Sequence, residues 1–184
     1  MSFKTKFKNI SKFYTGDTNF KEDLFIPILK ETKYYYRATG YFSSSILLEL
    51  VDGIEEIEKR HGKIKLLMSN NLSNDDYEAI KHGYEIKEAI EAKMLDALDV
   101  KLDEFEEEKL NYLAHLIAND ILEIKIALMN DSNGINLYHT KKGIFIDEEG
   151  NEISFNGSFN ASSNALFNFD ELTIYTNYDE NIYH

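Results

Sequence analysis

His139 and Lys141 stand two residues apart in Tyr138-His139-Thr140-Lys141, a stretch of extended character. On a strand, residues i and i+2 share a face, which sets an imidazole beside an ammonium. One strand and one turn later comes Gly157-Ser158-Phe159-Asn160, where Ser158 and Asn160 again share a face at the point where a strand gives way to a helix. If the two segments are neighbouring strands, a nucleophile, a cation, a hydroxyl and a carboxamide meet in one small pocket. That set suits phosphoryl transfer. Lys141 would offset the charge of a phosphodiester while Ser158 and Asn160 hold its non-bridging oxygens. A neutral imidazole can attack phosphorus to give a phosphohistidine, and a carboxylate behind the ring would fix its tautomer. The arrangement calls for no metal and no cofactor.

The other four histidines carry less. His82 and His115 fall in helical patterns and His184 is terminal. His61 opens a His-Gly-Lys ahead of a strand, but no Gly-Ser-x-Asn follows it, so it is set aside.

The elements that must position these groups follow from periodicity. Apolar spacing predicts a helix over 19–31 with Leu24, Phe25, Ile28 and Leu29 inward. It predicts another from about 46 to 60, capped by Ser43, Ser44 and Ser45, with Ile46, Leu47, Leu50, Val51, Ile54 and Ile57 on its buried side. Strands are expected over 34–42, 63–69 and 121–129. Ser73 to Asp76 should cap a third helix, and a further one is expected over about 106–119. The segment 85–109, with ten acids against four lysines, reads as one or two amphipathic helices with a solvated acidic face. After it come INLYHTKKGIFID, the turn EEGN, EISFNGS, a short helix near 161–166 and the strand ELTIYT. Near the start, Lys4, Lys6 and Lys8 alternate as on one face of a strand, either a protected sheet edge or a phosphate-contacting arm. Strands that first alternate with helices and then gather into a hairpin predict an α/β fold with a mixed sheet sandwiched between helices. No linker interrupts residues 1–184, which read as a single domain.

Composition sets the outer limits. The 184 residues are 43% hydrophobic and 13% aromatic, enough for a packed core. The net charge of −13 excludes a generally basic surface, so a polyanion must be held by a local pocket. With no cysteine, disulfides, thiolate zinc sites and cysteine nucleophiles are excluded. No apolar run approaches a membrane span, and MSFKTKFKN lacks the apolar stretch of a secretory leader. The expected compartment is the cytoplasm, with no membrane partner.

His-x-Lys followed by Gly-Ser-x-Asn resembles the phospholipase D superfamily. The resemblance is closer to the phospholipase D-like nuclease domains of bacterial helicase-associated and restriction-type proteins. It is carried by His139 to Asn151, by Phe155 to Asn160, by LEIKIALM and by ATGYFSSSILLELVDGI. It implies a metal-independent nuclease in which His139 is nucleophile or acid and Lys141, Ser158 and Asn160 bind the phosphate. The family's supporting carboxylate falls on Asp170 in Asn168-Phe169-Asp170, with Glu171 one residue beyond. Asp147 lies one residue further from Lys141 than the superfamily pattern has it, and reads as structural. A complete site in this family uses two His-x-Lys motifs and this sequence has one, which implies a homodimer with a composite site or an inactive half. The implied partner is nucleic acid, DNA in preference to RNA, in restriction or phage defence. A non-catalytic DNA-binding or sensing module and a phospholipase-type phosphodiesterase are the alternatives, and the chain reads as the nuclease portion of a longer protein.

Overall fold

The computed structural model describes residues 2–15, 18–69, 71–91, 107–127, 129–131, 134–136, 138–166 and 171–178. The strands are β1 (Phe13–Tyr14), β2 (Tyr34–Thr39), β3 (Lys63–Met68), β4 (Leu122–Ile126), β5 (Met129–Asp131), β6 (Gly134–Asn136), β7 (Lys142–Ile146), β8 (Glu152–Gly157) and β9 (Leu172–Thr176). Seven of them form one mixed sheet in the order β1-β9-β8-β7-β2-β3-β4, while β5 and β6 pair separately. In the main sheet β2, β3 and β4 run parallel, whereas β7, β8 and β9 form an antiparallel meander joined to β2. The expected α/β class and mixed sheet are both present.

The helices are α1 (Phe3–Lys6), α2 (Ile26–Leu29), α3 (Ser45–Glu49), α4 (Val51–Lys59), α5 (Asn74–Glu91) and α6 (Glu108–Ala118), with a π-helical turn (Phe20–Phe25) leading into α2 and a 3-10 turn at Ser163–Leu166. Leu24, Phe25, Ile28 and Leu29 are all buried, as the spacing predicts. Ser73 caps α5 in both directions: its hydroxyl accepts from the Asp76 N–H at 3.1 Å and donates to the Asp76 carboxylate at 2.9 Å. The residues 92–106, which carry most of the expected acidic helix, lie outside the described residues.

Two expectations are corrected. The lysine alternation at the start is not a strand, because Phe3 to Lys6 form a helical turn. The turn is imposed from a distance. Phe3 is fully buried, it meets Phe7 edge-on at 5.7 Å, and its N–H donates to the Asp147 carboxylate at 2.7 Å. The helix expected over 46–60 is two helices meeting at Leu50, a break that keeps Ile46, Leu47, Leu50, Ile54 and Ile57 buried but leaves Val51, expected inward, half-exposed. Ser44 occupies the N-cap position of α3, but its hydroxyl makes no capping bond. The serines instead tie this segment to the end of the chain, through Ser43 N–H to the Ala161 carbonyl at 3.0 Å and Ser45 to Ser163 at 2.9 Å.

Side chains alternate cleanly across the sheet. Tyr35, Ile64, Leu66, Leu122, Phe145, Ile153, Phe155 and Ile174 point into a single core shared with the helices. Aromatic rings dominate its centre. Tyr35 stacks on Phe145 at 4.6 Å, and Phe25 meets Phe155 edge-on at 5.5 Å and stacks on Phe159 at 4.8 Å. The opposite face carries exposed Leu67, Ile144 and Tyr175, and no helical residue lines the trough upon it. Among the described residues, the helices therefore cover one face of the sheet and leave part of the other open.

Candidate active site

The predicted phosphate-binding groups collect at one edge of the sheet, where the parallel strands β2 and β3 end, β7 begins and β8 ends. Register brings them there. Lys142 pairs with Asn156, and one step outward the Gly157 N–H donates to the Lys141 carbonyl at 3.3 Å. The His139 and Gly157 segments are thus neighbours, as the chemistry requires.

His139 and Lys141 precede β7 rather than lying in it, yet the expected proximity holds. Lys141 Nζ lies 2.9 Å from His139 Nε2 and 3.4 Å from the His139 carbonyl. An ammonium has donors only, so in this contact Lys141 donates and Nε2 accepts. The ring is exposed and the lysine is buried, only 9% exposed. The nitrogen that would attack phosphorus thus stands beside the charge that would receive the phosphate.

The Gly157–Asn160 turn is shaped by what lies under it. Phe159 is the anchor, 2% exposed and packed on Phe25 and Phe20, which leaves Ser158 and Asn160 on the opposite side of the chain. Arg37 projects inward from β2 with its guanidinium 4.6 Å above the Phe155 ring and 5.4 Å above Phe159, and donates to the Phe159 carbonyl. A buried cation held this way braces the loop between its two polar residues. Gly157 permits the approach of β9: a β-carbon there would lie 1.9 Å from the Glu171 carbonyl oxygen. Ser158 then bonds Glu171 twice, its N–H to the Glu171 carbonyl and the Glu171 N–H to its Oγ, each at 3.1 Å. Asn160 is half-buried, and its Oδ1 is buried with no hydrogen-bond partner. An unpaired buried carboxamide oxygen is costly, and a phosphate, whose oxygens only accept, would be met by the Nδ2 group instead.

Glu171 is brought to Ser158 through its backbone. Its side chain is exposed and makes no contact with His139 among the described residues. Asp170 lies outside the described residues. Asp147 is structural, as its spacing predicts. It is 3% exposed and accepts from the Phe3 N–H, the Glu149 and Asn151 N–H groups at 2.9 and 2.8 Å, and the Asn151 side chain at 2.8 Å. Burial alone would raise its pKa, but these bonds together hold it below the ordinary carboxylate value. His61 is equally structural. It ends α4 with φ of 50° and begins the approach to β3, at the end of that strand away from the site.

Residues outside the motifs also build the edge. Gly40, directly after β2, abuts His139: a β-carbon there would lie 3.1 Å from His139 Cα and 3.2 Å from Nδ1. Its carbonyl accepts from Ser69 Oγ at 2.8 Å, and Thr39 Oγ1 receives the Ala161 N–H at 3.0 Å. The sequence signal for them was the ATGYF stretch, whose part in the site depends on a strand crossing made a hundred residues later. Among the described residues no group of His, Asp or Glu side chains is arranged to hold a metal ion. No described helix is long and apolar enough to cross a membrane.

Comparison with known proteins agrees with this geometry at the level of fold. No family model and no curated protein matches the sequence. Among solved structures, NucT from Helicobacter pylori is similar at TM-score 0.50 and 16% identity, over 89% of this chain and 82% of NucT. Yeast tyrosyl-DNA phosphodiesterase is similar at TM-score 0.50 and 11% identity, over 88% of this chain and 31% of the yeast chain. Nuc from Salmonella typhimurium, a phospholipase D family member, aligns at TM-score 0.43 and 12% identity, over 82% of this chain and 71% of Nuc. NucT and the yeast enzyme both belong to the phospholipase D superfamily, and the fold of this chain is the phospholipase D fold.

Proposed function

We propose that the protein is a metal-independent phosphodiesterase that cleaves nucleic acid, DNA in preference to RNA, through a phosphohistidine. The observation that carries this reading is the 2.9 Å contact between His139 Nε2 and Lys141 Nζ, at the edge where Ser158 and Asn160 also lie. The resemblance of the motifs and the likeness in fold to NucT and to tyrosyl-DNA phosphodiesterase support it. In the first step His139 Nε2 attacks phosphorus, the N–P bond forms and the P–O bond to the leaving group breaks. The leaving oxygen takes a proton from an imidazolium on the far side. Water then attacks phosphorus, that second imidazole accepts its proton, and the N–P bond breaks to return both rings to their starting states. Lys141, Ser158 and Asn160 hold the non-bridging oxygens throughout, with Asp170 or Glu171 as the supporting carboxylate.

One imidazole cannot stand on both sides of an in-line displacement. The working unit is therefore a symmetric homodimer in which His139 of each copy faces the other across the two-fold axis. The 184 residues form one nuclease domain, the nuclease portion of a longer cytoplasmic protein in restriction or phage defence, a role supported by the sequence resemblance.

Cleavage of labelled DNA in excess EDTA tests the chemistry. His139→Ala should abolish it, and loss of Lys141 or Asn160 should slow it by roughly 10²–10³. Dependence on added Mg²⁺, or activity that survives His139→Ala, would refute the reading. Mixing wild-type and His139→Ala chains tests the composite site. Activity should follow the square of the wild-type fraction after subunit exchange, and a linear dependence would place the whole site in one chain.

A further inference from the structure

The open face of the sheet carries a trough of about 570 Å³ with a floor of Tyr36, Ala38, Leu67 and Ile144. Register places these side chains together: Tyr36 lies opposite Ile144 on one side and Lys65 on the other, and Ala38 sits between Lys142 and Leu67. The small Ala38 makes the depression. Leu67 and Ile144 are 36% and 37% exposed, unusual for residues on or beside parallel strands, whose faces are normally covered.

The rim is basic. Among the described residues, Lys65, Lys125 and Lys142 surround the trough against the single carboxylate of Glu123, leaving two positive charges in excess on a chain of net charge −13. Glu123 is shared by Lys65 at 3.5 Å and Lys125 at 3.1 Å, while Lys142 makes no ion pair among the described residues. A second copy docked here would set this excess against itself, which a desolvated interface penalises. A polyanion with flat apolar groups complements both the rim and the floor. Along the chain the trough borders the candidate site: Lys142 opens β7 directly after Lys141, and Ala38 precedes the Thr39-Gly40 pair that abuts His139, although His139, Lys141, Ser158 and Asn160 do not line it.

We propose that this face binds single-stranded nucleic acid, with bases on the Tyr36 floor and phosphates on the lysine rim. Unpaired bases offer the π-faces that such a floor can hold, whereas a duplex keeps them stacked inside. The inference deepens the nuclease reading and rests on it only for the role of the bound strand as substrate.

The test is fluorescence anisotropy with a labelled oligothymidylate and the His139→Ala chain, across a range of salt, beside a duplex of equal length. The single strand should bind more tightly. Tyr36→Ala should weaken binding roughly 5- to 150-fold, the size of one base–aromatic stack. Lys125→Gln, whose side chain is 70% exposed and whose loss cannot disturb the core, should lower the log–log salt slope by about 0.7, as should Lys142→Gln. Binding that ignores all three substitutions, or a duplex bound as tightly as the single strand, overturns the proposal. So does sedimentation in which Tyr36→Ala dissociates a dimer, which assigns the face to a second copy. Wild-type hydrolysis of bis(p-nitrophenyl) phosphate, too small to span the trough, reports on the site alone. No hydrolysis with face-dependent binding overturns the nuclease reading and leaves this one standing.

Discussion

Replacing Asp147 with alanine should destabilise the fold by about 2–5 kcal/mol, and the size follows from who loses a partner. The carboxylate accepts from Phe3, Glu149 and Asn151 N–H groups and from the Asn151 side chain. Glu149 is exposed and Asn151 half-buried, so water can replace the acceptor there at about 0.5–1 kcal/mol each. The Phe3 amide belongs to a fully buried residue and keeps no such recourse, which adds about 1–3 kcal/mol. For a chain of this size the melting temperature should fall by roughly 4–20 °C. Asp147→Asn keeps one acceptor oxygen and should cost about half as much. The pH dependence has a definite sign. Burial works to raise the Asp147 pKa, the hydrogen bonds outweigh it, and the folded value lies below the unfolded one. The ionised form therefore stabilises the fold fully above the unfolded carboxylate range, near pH 4, and its contribution is lost as pH falls through the lowered folded value. Guanidinium titrations of wild type and Asp147→Asn should show a gap at pH 7 that narrows below about pH 4. A gap under about 0.5 kcal/mol at pH 7, or one unchanged by acid, refutes the reasoning. Asp147→Asn should also keep its cleavage rate per folded molecule, since the carboxylate serves the N-terminal turn and the 147–151 turn rather than the phosphate.

Two further substitutions probe the loop that carries Ser158 and Asn160. Gly157→Ala puts a β-carbon 1.9 Å from the Glu171 carbonyl, so β9 must shift; a loss of about 1–3 kcal/mol in denaturant and a strong fall in DNA cleavage are expected. Arg37→Met keeps the volume but strips the Phe159 carbonyl of its donor and two rings of their cation, and should cost about 1–3 kcal/mol by thermal melting. Cleavage should fall further in Arg37→Met than in Ile57→Val, which trims the same core from α4; equal losses would show that Arg37 braces nothing.

The amino-acid sequence by itself determined the elements whose pattern is local. The inward faces of the 19–31 segment and of α4, the Ser73 cap and the strands β2, β3 and β4 all follow from spacing within a dozen residues. The pairing of His139 with Lys141 is local too, since two residues along an extended chain already bring the side chains together. The tertiary structure decided everything that depends on residues distant in the chain. Lys4, Lys6 and Lys8 alternate like a strand, yet Asp147 and the core around Phe3 wind them into a helical turn. Arg37 and Gly40 belong to the site only because β2 lies beside β7. Neither the open sheet face nor the convergence of Ser158 on Lys141 is written in any single segment, because register is set by which side chains a folded neighbour buries.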